Sequence, residues 1–387
     1  MLVRCATWSY AAALVTLPLV GVGVLKILTG RDWGGGLQPS WVFMSLALVF
    51  LFLDKWRRGR LVTDFQAAVP RRLRRWWLGG MGAVLLVLLL SLVGLWVAPA
   101  AESLPTALGR YGKQMIQLGI MFSFLVWPAL WTRGKARWVW TVKLLVIGGL
   151  IQLGYGVLQG ADYYFGVPGF AWLDQVCTSN PSIFSGSGEL YLGDAFRNVP
   201  RLRGTVCEPL YLGNYLLLLW PLLLVVDWSR RRRFLAGAAL LSLLLATWSR
   251  GAWLGFLIQL LLAAVLLVVR RHPGAGARWE WSSRRWRWWL VGLAVLLVGL
   301  PLAATVTGWD GLLFPYRRLA QTFSGQDWSN LTRLYSMQAG WRAFLLSPLV
   351  GVGWGQFAWH FPLLVDPMGL QPRLAGIDDW LPAQADQ

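Results

Sequence analysis

The chain has 387 residues, 56% of them hydrophobic and 14% charged, with a formal net charge of +19. Soluble domains carry about 25% charged residues, so this balance excludes an ordinary soluble protein and a disordered one. The mean hydropathy of +0.52 comes from apolar runs that are continuous rather than alternating. Continuous runs predict helices and exclude a membrane β-barrel.

The first apolar run is preceded by Arg4 and ends among Lys26 and Arg31, with no small-residue cleavage site. It therefore predicts an uncleaved helix over 10–28, not a signal peptide. Further spans are predicted at 39–53, 76–98, 112–131, 138–158, 209–226, 234–248, 251–269 and 288–307. A hydrocarbon core of about 30 Å needs about 20 helical residues, so the second and seventh of these are short. Many of the 27 tryptophans stand at span ends, among them Trp41, Trp76, Trp77, Trp131, Trp138 and Trp288. That placement suits an aromatic belt at the headgroups. The expected fold is an all-α polytopic membrane protein with about nine transmembrane helices.

Orientation follows from the bases. With the N-terminus inside, the inner segments hold 23 of the 36 Lys and Arg, in clusters such as Lys55 to Arg60, Arg71 to Arg75, Arg230 to Arg233 and Arg270 to Arg287. Only Asp54, Asp64, Asp227 and Glu280 accompany them, so the net charge of +19 falls on one side. A pI near 10.8 would otherwise suggest phosphate-backbone binding. Here the basic clusters sit between apolar spans and read as orientation and anionic-lipid contacts, with no nucleic-acid partner. The expected location is the bacterial inner membrane, N-terminus in the cytoplasm and C-terminal tail in the periplasm.

Two outer segments are long: a loop over 160–208 and a tail over 309–387. The expected division is a helical bundle over 1–308 that includes the first loop, then the tail. Long loops on a rigid scaffold are where function concentrates. No Walker loop or dinucleotide fingerprint is present, and His272 and His360 fall on opposite sides, so neither a metal nor a cofactor is expected. Cys177 and Cys207 share the first loop, either as a disulfide or as two thiols.

The outer arginines carry more chemistry. Arg201-Leu202-Arg203-Gly204 leads through Glu208 and Pro209 into the sixth span. Proline suits the first helical turn. Extended chain upstream would point Arg201 and Arg203 to one side. Two guanidiniums beside a helix N-terminus suit a diphosphate. Ser249-Arg250-Gly251 forms a minimal turn between two spans. The preceding span covers only about 22 Å, which puts Arg250 at or below the outer surface. A third element carries Leu331, Leu334, Met337, Trp341, Phe344 and Leu345 at helical spacing, with Arg333 and Arg342 on the same helix. It predicts an amphipathic helix at the outer interface, broken by Pro348-Leu349-Val350-Gly351-Val352-Gly353.

In this order, over about 201–357, these elements resemble the O-antigen ligase and polymerase family. Arg201, Gly204, Glu208 and Pro209 match its approach to a helix. Ser249, Arg250 and Gly251 match its helix junction, and Arg333, Pro348, Leu349, Gly351 and Gly353 match its last element. The resemblance implies a metal-independent membrane glycosyltransferase of the GT-C type. Its donor would be an undecaprenyl-diphosphate-linked glycan, and its acceptor a lipid A core, a polysaccharide or a protein, on the periplasmic face. Arg201, Arg203, Arg250 and Arg333 would then bind the diphosphate, whose departure needs cationic stabilisation. The family's His-Asn pair is missing, His360 comes too early for it, and the family's further spans are not found. The 387-residue form is therefore expected to bind donor with little turnover. Glu208 is the remaining candidate base, although capping of the sixth helix is its competing role. A transporter or flippase of lipid-linked glycan, or an inactive or truncated relative, are the alternative functions.

Overall fold

The computed structural model describes residues 1–31, 37–59, 71–97, 104–131, 134–178, 201–206, 208–269, 320 and 328–365. Every named element among them is an α-helix: α1 (Leu2–Val15), α2 (Val24–Thr29), α3 (Pro39–Arg57), α4 (Arg71–Val97), α5 (Leu104–Trp131), α6 (Lys135–Phe165), α7 (Phe170–Cys177), α8 (Pro209–Leu222), α9 (Arg230–Ala246), α10 (Arg250–Val269), α11 (Trp328–Leu346) and α12 (Phe357–Val365). Strand-like pairing among these residues is limited to isolated bridges, Gly21 with Thr178 and Val22 with Leu37.

By length and composition, α3 and α6 could cross a membrane. Shorter apolar helical stretches are Leu2–Val15, Gly82–Trp96 and Arg250–Ala263. The 31 residues of α6 reach about 46 Å. The predicted helix at 288–307 lies outside the described residues.

The helix expected over 10–28 is not found as one piece. It starts at Leu2, stops at Val15 and resumes only as the short α2. Pro18 explains the break, since it has no N–H to donate and disfavours helical backbone before it. The residues in between bond elsewhere: Val22 N–H donates to Leu37 O at 2.8 Å and Gly23 N–H to Val176 O at 2.9 Å. At α8 the expectation on Pro209 holds, with the proline in the first turn. That helix ends at Leu222, just past its internal Pro221. At α9, Ser229 Oγ accepts from Arg232 N–H at 3.4 Å, so the helix starts at Arg230 and includes the arginine run.

Three apolar clusters organise the chain. In the first, α6, α8, α9 and α10 meet around Leu212, Leu216, Leu219, Leu240, Leu243 and Leu244. The second joins α1 and α3 through Tyr10, Met44 and Leu51, with Phe124 and Trp140 against them. Leu145 of α6 packs on both, so α6 is the shared wall. The third holds α11 to α12 through Tyr335, Ala339, Ala343 and Leu364. Helices α8 and α10 touch closely because Gly213 faces Ala252, and a Cβ at Gly213 would collide with the alanine's own. Small residues at such crossings let backbones approach.

Candidate anion site at the 201–206 segment and the α9–α10 turn

Gln152, Tyr155 and Gln159 lie on one face of α6, at spacings of three and four residues. The non-helical 201–206 segment lies along that face. Gln159 Oε1 accepts the backbone N–H groups of Arg203 at 3.1 Å and Gly204 at 3.2 Å. Gln152 Oε1 accepts the Thr205 N–H at 2.9 Å. The Thr205 hydroxyl lies 2.9 Å from Pro18 O and 3.1 Å from Gln152 Oε1. Gly204 has φ +63°, and a Cβ there would strike Gln152 Oε1. Glycine is thus required both by the left-handed backbone and by the close approach.

Arg203 has 1% of its side chain exposed and forms an ion pair with Asp174 of α7. Its second terminal nitrogen donates to Gly204 O at 3.2 Å and Val206 O at 3.3 Å. Asp174 also accepts from the Tyr155 hydroxyl. A buried guanidinium needs such compensation, because an uncompensated charge at low dielectric costs several kcal/mol. Cys177, in the last turn of α7, is a free, half-buried thiol. Burial pushes its pKa up, and the Asp174 carboxylate pushes it further. Cys207 lies outside the described residues.

Arg201 takes a different direction. Leu202 N–H donates to Ala246 O at 3.0 Å, and Arg201 Nε donates to Thr247 O at 3.4 Å. The expected shared direction of Arg201 and Arg203 is therefore not found. Extended backbone alternates side chains only where it is regular, and here Asp174 and the α9 carbonyls draw the two guanidiniums to different elements.

The α9–α10 turn is tight. Thr247 is fully buried and its hydroxyl donates to Leu244 O at 2.7 Å. Trp248 adopts φ +50°, the non-glycine positive φ among the described residues. A bulky residue in this region carries strain of about 1–2 kcal/mol, which persists only where the surroundings over-determine it. Ser249 Oγ accepts from Ala252 N–H at 3.4 Å, capping α10, and Arg250 is the first residue of that helix. Thr247 and Arg250 are three residues apart, so their Cα atoms are within about 11 Å. Arg201 thus reaches the turn that leads into a 20-residue helix whose first residue is Arg250. Two cations and a helix N-terminus suit a doubly charged anion.

Glu208 occupies the N-cap position of α8, and its carbonyl accepts Tyr211 N–H at 3.1 Å. Its side chain makes no cap hydrogen bond, so the expected capping role is not found, and the residue is half-buried.

Arg333 belongs to another cluster. It is exposed on α11, which packs on α12 through Tyr335, Ala339 and Ala343. The expected apolar stripe points the other way: Leu334, Met337, Trp341, Phe344 and Leu345 are all exposed, Met337 at 73%. After α11 the chain turns through Gly351, Gly353 and Gly355, each with positive φ. This turn reaches α4 and α5, where Trp354 N–H donates to Ser91 Oγ at 2.6 Å and Gln356 Nε2 to Ala107 O at 3.2 Å. The Arg110 guanidinium stacks over Trp359 at 4.1 Å, and His360 is buried nearby on α12.

The structure therefore brings Arg201 to the turn before Arg250, commits Arg203 to Asp174, and sets Arg333 on a helix that packs separately. Sequence reasoning missed Asp174, Gln152, Tyr155 and Gln159. Their signal was present in α6: three hydrogen-bonding side chains on one face of an otherwise apolar helix. No protein-family model, curated protein or solved structure matches the chain.

Proposed function

We propose that the chain is a multi-pass protein of the bacterial inner membrane, with about nine spanning helices, the N-terminus in the cytoplasm and 309–387 in the periplasm. It acts there as a metal-independent glycosyltransferase resembling the O-antigen ligases and polymerases. Its donor is an undecaprenyl-diphosphate-linked glycan and its acceptor a lipid A core, a polysaccharide or a protein. The bond from Arg201 to the α9–α10 turn, which leads into α10 at Arg250, carries this reading. Charge pairing supports the sidedness. Lys143 and Asp227, both assigned to the cytoplasm, pair at 2.6 Å. Arg203 and Asp174, both assigned to the outer loop, pair with each other.

In this reading the acceptor hydroxyl attacks the anomeric carbon and the bond from that carbon to the diphosphate oxygen breaks. Arg201 and Arg250 receive the charge on the departing undecaprenyl diphosphate. Arg203 serves by holding the segment, and Arg333 approaches the diphosphate from the α11 side. Glu208, the residue before Pro209 at the start of α8, takes the hydroxyl proton.

The test is binding of undecaprenyl diphosphate to the full chain in lipid nanodiscs. Arg250→Ala and Arg201→Ala should each weaken binding at least tenfold. Arg250→Lys should recover little, because an ammonium cannot reproduce a forked donor. Unchanged affinity in Arg250→Ala would refute the reading. Glu208→Gln should leave this binding intact while slowing transfer from a glycosylated donor.

A further inference from the structure

The 201–206 segment is non-helical, yet Arg203, Gly204, Thr205 and Val206 are all buried. Its depth can be read along α6. Trp138 and Tyr163 are exposed aromatics near the two ends of that helix. As interface anchors they are separated by about 38 Å, and Gln152 lies about 21 Å from Trp138, close to the midpoint. Gln159 lies about 32 Å from Trp138 by the same rise. With the span read over 138–158, the segment hosted by these two glutamines thus runs from the outer edge of the membrane at Gln159 into it at Gln152. Irregular backbone survives at such depth only where protein groups satisfy it. Gln152, Gln159 and the Arg203 guanidinium do so for the N–H and C=O groups named above.

Everything in this arrangement converges on Asp174. It is the counter-charge that lets Arg203 be buried, and it lies on α7, outside the bundle helices. Helix α7 is itself tied to the chain break after α1, through Gly23 N–H to Val176 O and the Gly21 to Thr178 bridge. Two residues upstream of Arg203, Arg201 reaches the α9–α10 turn. We propose that Asp174 is the positioning residue of the arginine site: its pair with Arg203 pins the 201–206 segment into α6 at membrane depth and so sets the height and direction of Arg201. The proposal rests on the functional reading above for its membrane setting and its ligand.

The experiment uses the full chain in nanodiscs, with undecaprenyl diphosphate as probe, and two independent readouts. The first is amide hydrogen exchange. Asp174→Asn should speed exchange at Leu202 to Val206 by tenfold or more, while α8 and α10 stay as protected as in the unaltered protein. The second is the dissociation constant, which should rise about tenfold, the scale of a small misplacement of one contact. The number of binding sites per folded protein should stay the same. A defect that merely unfolds part of the sample would reduce that number and leave the constant unchanged. Asp174→Glu should restore both readouts in large part. Should Asp174→Asn fail to fold, Tyr155→Phe, which removes one hydroxyl from the carboxylate, should shift both readouts in the same direction by less. Unchanged exchange over Leu202 to Val206 overturns the proposal. So does faster exchange with an unchanged dissociation constant. If the unaltered protein does not bind the probe at all, the functional reading fails, and the exchange result alone still decides whether Asp174 pins the segment.

Discussion

Two of the non-helical stretches among the described residues, the 201–206 segment on α6 and the 347–356 turn on α4 and α5, are held in opposite ways. In the first, the buried Gln152 and the half-buried Gln159 take up the backbone N–H groups and a fully enclosed arginine is neutralised by an aspartate. In the second, three glycines with positive φ shape the path, and a few separated contacts fix it, from Ser91, Gln356 and the stack of Arg110 on Trp359. Leu349 at its start is 87% exposed. The first region depends on charge and hydrogen-bond satisfaction, the second on backbone shape. An interior polar network fails when one member is lost, whereas a glycine-shaped turn tolerates loss of any one contact.

Removing a charge separates the two regions most strongly. Arg203→Ala leaves the partly buried Asp174 without its partner and should cost about 2–3 kcal/mol, somewhat below the usual penalty for breaking a fully buried pair. Arg333→Ala, on the exposed face of α11, should stay within about 0.5 kcal/mol. Chemical unfolding of the full chain in mixed micelles measures both. Equal costs would mean that the Arg203–Asp174 pair is not the anchor described here.

The glycines give a finer comparison. Gly204 and Gly351 have similar φ, +63° and +70°. A Cβ at Gly204 meets Gln152 Oε1, while one at Gly351 meets nothing within 4 Å. Gly351→Ala should therefore cost about 1 kcal/mol, the backbone term alone. Gly204→Ala should cost about 2–3 kcal/mol, because displacing Gln152 also breaks the bonds to Thr205. If the two cost the same, Gln152 moves aside freely and the 201–206 segment is looser than its hydrogen bonds imply.

Much of this architecture is legible in the sequence, for physical reasons that also mark where legibility ends. Apolar runs and Pro209 place α8, and Ser249-Arg250-Gly251 marks the α9–α10 turn, because proline and serine act on their immediate neighbours. The break after Val15 was signalled by Pro18 but was outweighed by the apolar run through it. The stripe expected on α11 comes out as an exposed face that Leu334, Met337 and Trp341 share with Arg333, Ser336 and Gln338. That it stays exposed while Tyr335, Ala339 and Ala343 are buried depends on α12, over ten residues further along. Arg203 is the clearest case. Its spacing from Arg201 says which way a regular strand would point it, but only the fold reveals that Asp174, 29 residues earlier, is waiting for it.

The exposed stripe on α11 offers a test with a still smaller energetic signature. Met337→Ala should change stability by no more than about 0.5 kcal/mol, since little packing is lost at an exposed position. A nitroxide attached at Met337→Cys should nevertheless be relaxed by oxygen dissolved in lipid more than by a water-soluble nickel chelate, if the stripe lies in the outer interface. The reverse pattern would place α11 in water and remove the membrane from this part of the description.

The smallest effect is expected at the other end of α6, where Lys143 pairs with Asp227 at 2.6 Å. The hydrogen bond from Lys143 holds the Asp227 carboxyl below its ordinary pKa, against an opposing desolvation and with the charge of Lys143 adding to the shift. A carboxyl depressed in the folded state adds stability above its unfolded pKa of about 4, and that contribution fades as pH falls through the folded value. Both side chains are substantially exposed, Asp227 at 64%, so water and salt screen the pair. Asp227→Asn should therefore lower the unfolding midpoint slightly at pH 7 in low salt. The gap should begin to close as pH falls below about 4 and vanish only below the lowered folded-state value, where the unaltered carboxyl is itself protonated, and it should shrink at about 1 M salt, where the screening length falls to about 3 Å. A gap that persists under both conditions would mean that Asp227 acts through neutral hydrogen bonds to the loop before α9. In that case the polar contrast between the two ends of α6 would be one of degree: enclosed and charge-dependent at Arg203, exposed and only weakly dependent on charge at Lys143.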